Sequence, residues 1–347
     1  ADVTLCGVTV ADGNTTGNGG GIAISSTGTV NIVDNTISGN VAGHGGGIYA
    51  ESAGGALNVI GSTISGNSVS GGSADGAGIY YRSTGKLTIT DSTISNNDVT
   101  AINNGNGGGL FIQRPDGTST SEITGSTFSG NTVTSGGTYA RGGGIAHVAT
   151  GVFALSDSTI VDNSVTSSLA LHSIVGGGGV AAELGFVTVS NTTISGNTAS
   201  GSLVSSRTIA GGIQVGDHPA SFGVVTMTNT IVALNTLGTA PPGSGPDVRG
   251  PFTSLGYNLI GIADGSTGLT ATGDQTGTTA APLDPWLATG LADNGGSTLT
   301  RMPLAGSPAI DTGDPGVTST PPTGDQRGFV RVFNGRVDIG AVEVGSV

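Results

Sequence analysis

The chain has 347 residues, 66 of them glycine, and is only 35% hydrophobic, a composition that would read as low complexity if the glycines did not recur at fixed places. Its net charge of −13, with Lys86 the one lysine among 10 basic residues, excludes a basic nucleic-acid-binding surface. No apolar run approaches about 18 residues, which excludes a membrane-spanning helix, and aspartate outnumbers glutamate, as turns prefer.

The chain opens at Ala1 inside a strand-like segment, with no Met and no signal peptide, and reads as a processed or excised piece of something longer. Cys6 is the one cysteine, so no intrachain disulfide can form. It reads as a small residue packed in or beside the first strand, with an intermolecular bridge as the alternative.

A motif then recurs, clearest as Asn191-Thr192-Thr193-Ile194-Ser195-Gly196-Asn197. Aligned on Thr193, its copies place threonine at Thr9, Thr36, Thr63, Thr93, Thr127, Thr159 and Thr230, in steps of 27 to 37 residues. Two other short pieces fill each repeat. One follows a glycine run, as in Gly45-Gly46-Gly47-Ile48. The other follows a Ser/Thr/Gly turn, as in Val30-Asn31-Ile32 and Leu87-Thr88-Ile89. All are too short for helices and alternate with a period of two. The pattern predicts an all-β fold over residues 1–237: a right-handed parallel β-helix, a β-solenoid with three short strands per rung.

In that stack Ile37, Ile64, Ile94, Phe128, Ile160, Ile194 and Ile231 form an inward column, each about 4.8 Å above the last. Asn40, Asn67, Asn97, Asn131, Asn163, Asn197 and Asn235 form a column at a turn, where stacked amides bond one another. Gly39, Gly66, Asn96, Gly130, Asp162 and Gly196 precede them, residue types that tolerate a left-handed backbone; Leu234 breaks the rule. The stretch that follows each asparagine lengthens, from 41–44 through 68–75 to 164–175, and reads as loops bulging from one edge.

After about Leu237 the repeat weakens. Pro241, Pro242 and Pro246 interrupt it, and Ser254 to Gly261 looks like one degraded rung. Residues 238–347, with Trp286, read as degraded rungs and an irregular C-terminal cap over the last apolar layer. Nothing before Ala1 covers the first rung, so chains stacked end to end would propagate a filament.

The Gly-Gly-Gly-Ile runs paired with Phe128-Ser129-Gly130-Asn131 resemble the repeats of polymorphic outer-membrane proteins, with Ile for Phe in most copies. The ending is similar to bacterial surface proteins of the choice-of-anchor Q type. Its motifs are Ser254 to Ile260, Leu291-Ala292-Asp293-Asn294-Gly295-Gly296, Gly306-Ser307-Pro308-Ala309-Ile310-Asp311, Asp325-Gln326-Arg327-Gly328 and Asp338-Ile339-Gly340-Ala341-Val342-Glu343. The resemblance covers nearly the whole chain. It implies a secreted or surface-displayed right-handed β-helix of adhesive or unassigned role, and it transfers no catalytic residue.

For a ligand, the best patch lies on the glycine-run strands. If Ile48, Ile79 and Leu110 point in, then Tyr49, Tyr80 and Phe111 point out on successive rungs, with Glu51, Arg82 and Gln113 two residues on. Such a ladder can stack sugar rings and bond their hydroxyls; the alternative is rings packed beneath a loop. Catalysis has less support. Glycoside hydrolysis needs two carboxylates roughly 5–10 Å apart, whereas Glu51 and Glu183 stand four rungs apart, about 19 Å. No Lys or Arg base adjoins an Asp column, as a lyase requires. His44, His147, His172 and His218 occupy unrelated repeat positions, which gives a metal site little support; His147, pointing inward, reads as a core histidine. Asp311, Asp314, Asp325 and Asp338 with Arg327 and Arg336 read as a salt-bridged cap, with a calcium site as the alternative. The outward threonines, flanked by Ser38, Ser65, Ser95, Ser129 and Ser195, read as an exposed sheet face. Together these features describe a non-enzymatic, secreted or cell-surface solenoid without cofactor, structural or adhesive, with its own ends or surface glycans as partners. The rival is a carbohydrate-active β-helix protein that binds or cleaves polysaccharide.

Overall fold

The computed structural model describes residues 1–114, 120–168, 174–201, 209–216, 223–240, 242–317 and 324–346, and none of these is α-helical. The strands stack in parallel as a right-handed β-helix with three walls. Sheet I contains Val3–Cys6, Val30–Val33, Leu57–Ile60 and their successors. Sheet II contains Thr9–Ala11, Thr36–Ser38, Thr63–Ser65 and theirs. Sheet III contains Ile22–Ile24, Ile48–Ser52, Ile79–Ser83 and theirs.

Period-two alternation places Ile37, Ile64, Ile94, Phe128, Ile160 and Ile194 inside, fully buried and in register. With Ile48, Ile79 and Leu110 of sheet III and Leu57, Leu87 and Phe153 of sheet I they make one continuous core. Each such side chain contributes roughly 1.5–3 kcal/mol on burial. The turns close only with a left-handed residue: Gly39, Gly66, Asn96, Gly130, Asp162 and Gly196 have φ between 54° and 70°.

Two polar ladders satisfy the corners. In the expected one, Nδ2 of each asparagine donates to Oδ1 of the next at 2.9 Å, from Asn40 to Asn235. The ladder ends on Asp247, which takes the Asn235 amides at 2.9 Å. The other ladder was not expected. Asn35, Ser62, Ser92, Ser126 and Ser158 are buried between sheets I and II, and the backbone N–H of each of the first four donates to the side-chain oxygen of the next at 3.0–3.2 Å.

That second ladder corrects the last repeat. Thr230 belongs to it, donating its N–H to Asn258 Oδ1. Thr193 therefore pairs with Ile231, and Ile194 with Val232. Val232, not Ile231, takes the inward place. The asparagine ladder sets this register, and Leu234 keeps Asn235 in it by adopting the left-handed corner at φ 62°.

The lengthening stretch is also not a loop. Ser68–Asp75, Asp98–Asn106, Thr132–Ser135 with Tyr139–Arg141, and Ser164–Ser167 with Ile174–Gly176 pair in parallel as a fourth, flap sheet. It buries its own small core of Val69, Ala74, Val99, Ala101, Val133, Ala140 and Val165.

At the C-terminal end, Leu259–Ile260 and Gln275–Thr276 add rungs to sheet II, and Leu269 closes the core. The remaining chain does more than cap. It turns back along the outside of sheet II as far as Gly125 and Thr127. At the opposite end, Val3, Leu5, Ile22 and Ile24 line an open apolar concavity of about 390 Å³. Cys6 is exposed there, not packed.

Candidate functional site

On sheet III the inward Ile48, Ile79 and Leu110 turn Tyr49, Tyr80 and Phe111 outward on consecutive rungs, in register. The column exists, but it is not an open stacking platform. Tyr80 and Phe111 are 6% and 3% exposed, beside Ala146, and only Tyr49 is half-exposed. Strand spacing is the cause, since rungs about 4.8 Å apart bring in-register rings onto one another. Tyr49 stacks on Tyr80 with centroids 4.8 Å apart, Tyr80 tilts against Phe111 at 5.5 Å, and His44 lies against Tyr80 at 5.6 Å. Burial pushes the Tyr80 hydroxyl up to about 12. Burial and then Glu51 raise that of Tyr49 further still, so both hydroxyls are donors at neutral pH.

Solvent meets the polar row instead. Arg82 Nη1 lies 3.0 Å from Glu51 Oε1, and their side chains are 45% and 43% exposed. Tyr49 donates to Glu51, and Tyr80 donates to Gln113 at 3.1 Å. Two shallow concavities meet at Glu51. One, about 300 Å³, is lined by Glu51, Ser52, Arg82 and Thr84; the other, about 220 Å³, by Asn18, Ser25, Tyr49 and Glu51. Glu51 is the one carboxylate in either lining, and it is tied to Arg82 and Tyr49. Glu183 is buried on a later rung beside Arg141, at 3.5 Å. His147 is a core histidine as expected, its Nδ1 3.1 Å from the Leu184 carbonyl and its ring stacked on Phe153. His172 and His218 lie outside the described residues.

In the C-terminal segment, Arg327 grips Asp325 at 2.7 and 2.9 Å, and Arg336 holds the Thr312 and Gly313 carbonyls. Three residues that the sequence reading passed over attach this segment to sheet II. Gln326 bridges Thr127 and Thr159, Arg331 pairs with Asp157 at 2.8 Å, and Arg301 reaches Ser195 at 3.2 Å. Thr127, Thr159 and Thr193 are therefore buried, which corrects the exposed-face expectation for half of the column. A signal for the cover existed in outward positions that turn apolar late in the chain: Val161, Ile231 and Ala233, all fully buried.

The carboxylates of Asp311, Asp338 and Glu343 bring oxygens within 4.8 Å of one another. Backbone amides of Asp311 and Val344 donate to Asp338, and those of Phe333 and Asp338 donate to Glu343. Burial raises the Asp338 carboxyl and pushes that of Glu343 to about 7. The trio offers the oxygen chemistry calcium prefers, but the oxygens of Asp338 and Glu343 are each already taken by a backbone amide.

Parallel ladders around one core and a continuous asparagine column define the class: a parallel β-helix repeat protein. The model of the family described as right-handed beta helix region matches residues 20–238, and the chain belongs to that family. No curated protein and no solved structure matches the chain.

Proposed function

We propose that the chain is a non-enzymatic, structural and adhesive β-solenoid displayed outside the cell, contacting glycans through the cleft at Tyr49, Glu51 and Arg82. That cleft carries the reading. An exposed ion pair and a tyrosine hydroxyl flank two shallow concavities on a rigid wall, with a single carboxylate between them. Such a surface suits hydroxyl-rich ligands and lacks the carboxylate pair that hydrolysis uses. The extracellular setting rests on the similarity of the C-terminal motifs to choice-of-anchor Q surface proteins. Among the described residues no helix is long and apolar enough to cross a membrane.

A glycan array probed with the intact chain tests the cleft. Tyr49→Phe, which keeps the stacked ring, and Arg82→Ala should each weaken binding about tenfold at an unchanged melting temperature, and unchanged binding sinks the site. Product detection on acidic and neutral polysaccharides is the second arm; turnover abolished by Glu51→Gln would favour the carbohydrate-active rival. End-to-end association is a second reading, for which the apolar concavity lined by Val3, Leu5, Ile22 and Ile24 would be the contact surface. Filaments in negative-stain images would support it, and dispersed monomers at high concentration would refute it.

A further inference from the structure

The outer face of sheet II is one surface, half covered and half bare. Thr9, Thr36, Thr63, Thr93, Thr127, Thr159 and Thr193 stand in register along it. From Thr127 onward the C-terminal segment lies on it, and its contacts show what this face holds. Thr127 Oγ1 donates to the Leu299 carbonyl at 2.6 Å and accepts from Gln326 Nε2 at 2.9 Å. Thr159 Oγ1 donates to Gln326 Oε1, and Thr193 Oγ1 accepts from the Ala341 amide at 3.1 Å. Aspartates at positive φ, Asp157 and Asp162, mark the two corners of the Thr159–Val161 strand. They face Arg331 at 2.8 Å and Arg301 at 3.8 Å. The occupant is thus irregular polypeptide with backbone and amide groups for the hydroxyls and an arginine for each corner carboxylate.

From Thr9 to Thr93 no described residue lies over the threonines of the same face. Thr9 and Thr36 are exposed, and Thr63 and Thr93 half-exposed. Its corners repeat the chemistry, with Asp12, Asp34 and Asp91 again at positive φ. Asp91 meets Ser297 at the rim of the cover. Among the described residues no ion pair reaches Asp12 or Asp34, which are exposed.

The geometry points to the bare half as a docking site for an irregular basic peptide. The threonine hydroxyls bond its backbone and amide side chains, and Asp12 and Asp34 pair with its arginines or lysines. The charge pattern continues that of the covered half, where every corner carboxylate of one rung has its arginine. Exposed pairs are individually weak and screened by salt, so affinity comes from repetition along the rungs.

The test titrates the intact chain with a labelled octapeptide, Gly-Asp-Gln-Arg-Gly-Phe-Val-Arg, the sequence of residues 324–331, and with a counterpart carrying Glu for both Arg. Two double variants remove the site: Asp12→Asn with Asp34→Asn, where Asn tolerates the corner backbone, and Thr36→Val with Thr63→Val, which keeps the strand. Asp284→Asn with Asp293→Asn removes the same charge elsewhere. The expected result is saturable binding of the Arg peptide, absent for the Glu peptide, about tenfold weaker in either site variant and unchanged in the control pair. Lack of saturable binding, equal binding of the Glu peptide, or equal loss in the control pair overturns the proposal. So does a dimer of the chain that buries this face, which would assign it to a second copy.

Discussion

At the scale of single residues, the buried asparagines are tolerable because every polar group in the column is paired. Asn131 Nδ2 donates to Asn163 Oδ1 and to the Ile94 carbonyl, both at 2.9 Å, and its Oδ1 accepts the Asn97 N–H and Nδ2. Asn131→Ala strands several of these groups at once. At about 1–3 kcal/mol per stranded group, denaturant unfolding should register a loss of at least about 3 kcal/mol. A loss below about 1 kcal/mol would mean water or relaxation replaces the ladder. The neighbouring corner obeys a steric rule. Gly125 has φ 61°, and a Cβ there would meet Asp91 Oδ1 at 2.2 Å; a Cβ on Gly61 would likewise meet Asp34 Oδ1 at 2.3 Å. Aspartate and glycine therefore alternate along Asp34, Gly61, Asp91, Gly125 and Asp157, which also keeps like charges apart. Gly125→Ala should cost about 1–3 kcal/mol. Asp91→Gly in the same chain should recover part of that loss; strictly additive losses in the double-mutant cycle would rule the contact out. The ladder's last member follows the same logic. Asp247 accepts from Asn235 on one oxygen and from the Ile262 N–H at 2.7 Å on the other, where an asparagine would aim a donor at a donor.

At the scale of elements, what was legible in the sequence is what each repeat states again. The inward isoleucines, the asparagine column and the glycine corners recur at every turn, so one repeat predicts the next. The flap sheet was not legible, because Ser68–Asp75 and Asp98–Asn106 share little sequence and find their partners only across rungs. The tyrosine patch was legible as a column but not as a buried one, since alternation gives a side chain's direction and not what lies over it. The C-terminal segment was the least legible. Its anchors, Gln326, Arg331 and Arg301, sit outside regular strands, and their partners lie more than a hundred residues away. That segment also carries a pH dependence, to which Asp247, raised by burial to about 6, adds. Glu343 is raised to about 7 from 4.5 and Asp338 is raised as well, both by burial. Between about pH 4.5 and 7 the folded chain therefore holds protons that the unfolded chain has released. Stability should fall as pH rises through that window and be retained on its acid side. The melting temperature at pH 5 should exceed that at pH 7.5, and Glu343→Gln should flatten part of the difference, with Asp247 and Asp338 carrying the rest. An unchanged slope in that variant would place the titrating group elsewhere. Because backbone amides already occupy both oxygens of Asp338 and of Glu343, adding a chelator should leave both melting temperatures unmoved; a drop would identify a bound cation.

At the scale of the whole molecule, a solenoid is held by nearest neighbours, so its stability is local and graded. The C-terminal segment departs from that pattern by binding the rungs of Thr127, Thr159, Thr193 and Ile231 to one another from outside. Those rungs open only if the segment lifts. At the rungs of Thr9 and Thr36, by contrast, no described residue covers sheet II, and both threonines are exposed. Native-state hydrogen exchange should follow this difference, fastest in Thr9–Ala11, slower in Thr63–Ser65, and slowest in Thr159–Val161 and Thr193–Ser195. Arg331→Ala combined with Gln326→Ala removes the pairing to Asp157 and the bridge between Thr127 and Thr159. Protection should then fall at Thr159–Val161 while that of Thr36–Ser38 stays as it was. A uniform fall along the whole stack would make the solenoid one cooperative unit and defeat the local account. No fall at all would mean that the segment rests on sheet II without holding it, and the bare half of the same face would then lose its model for how a peptide binds there.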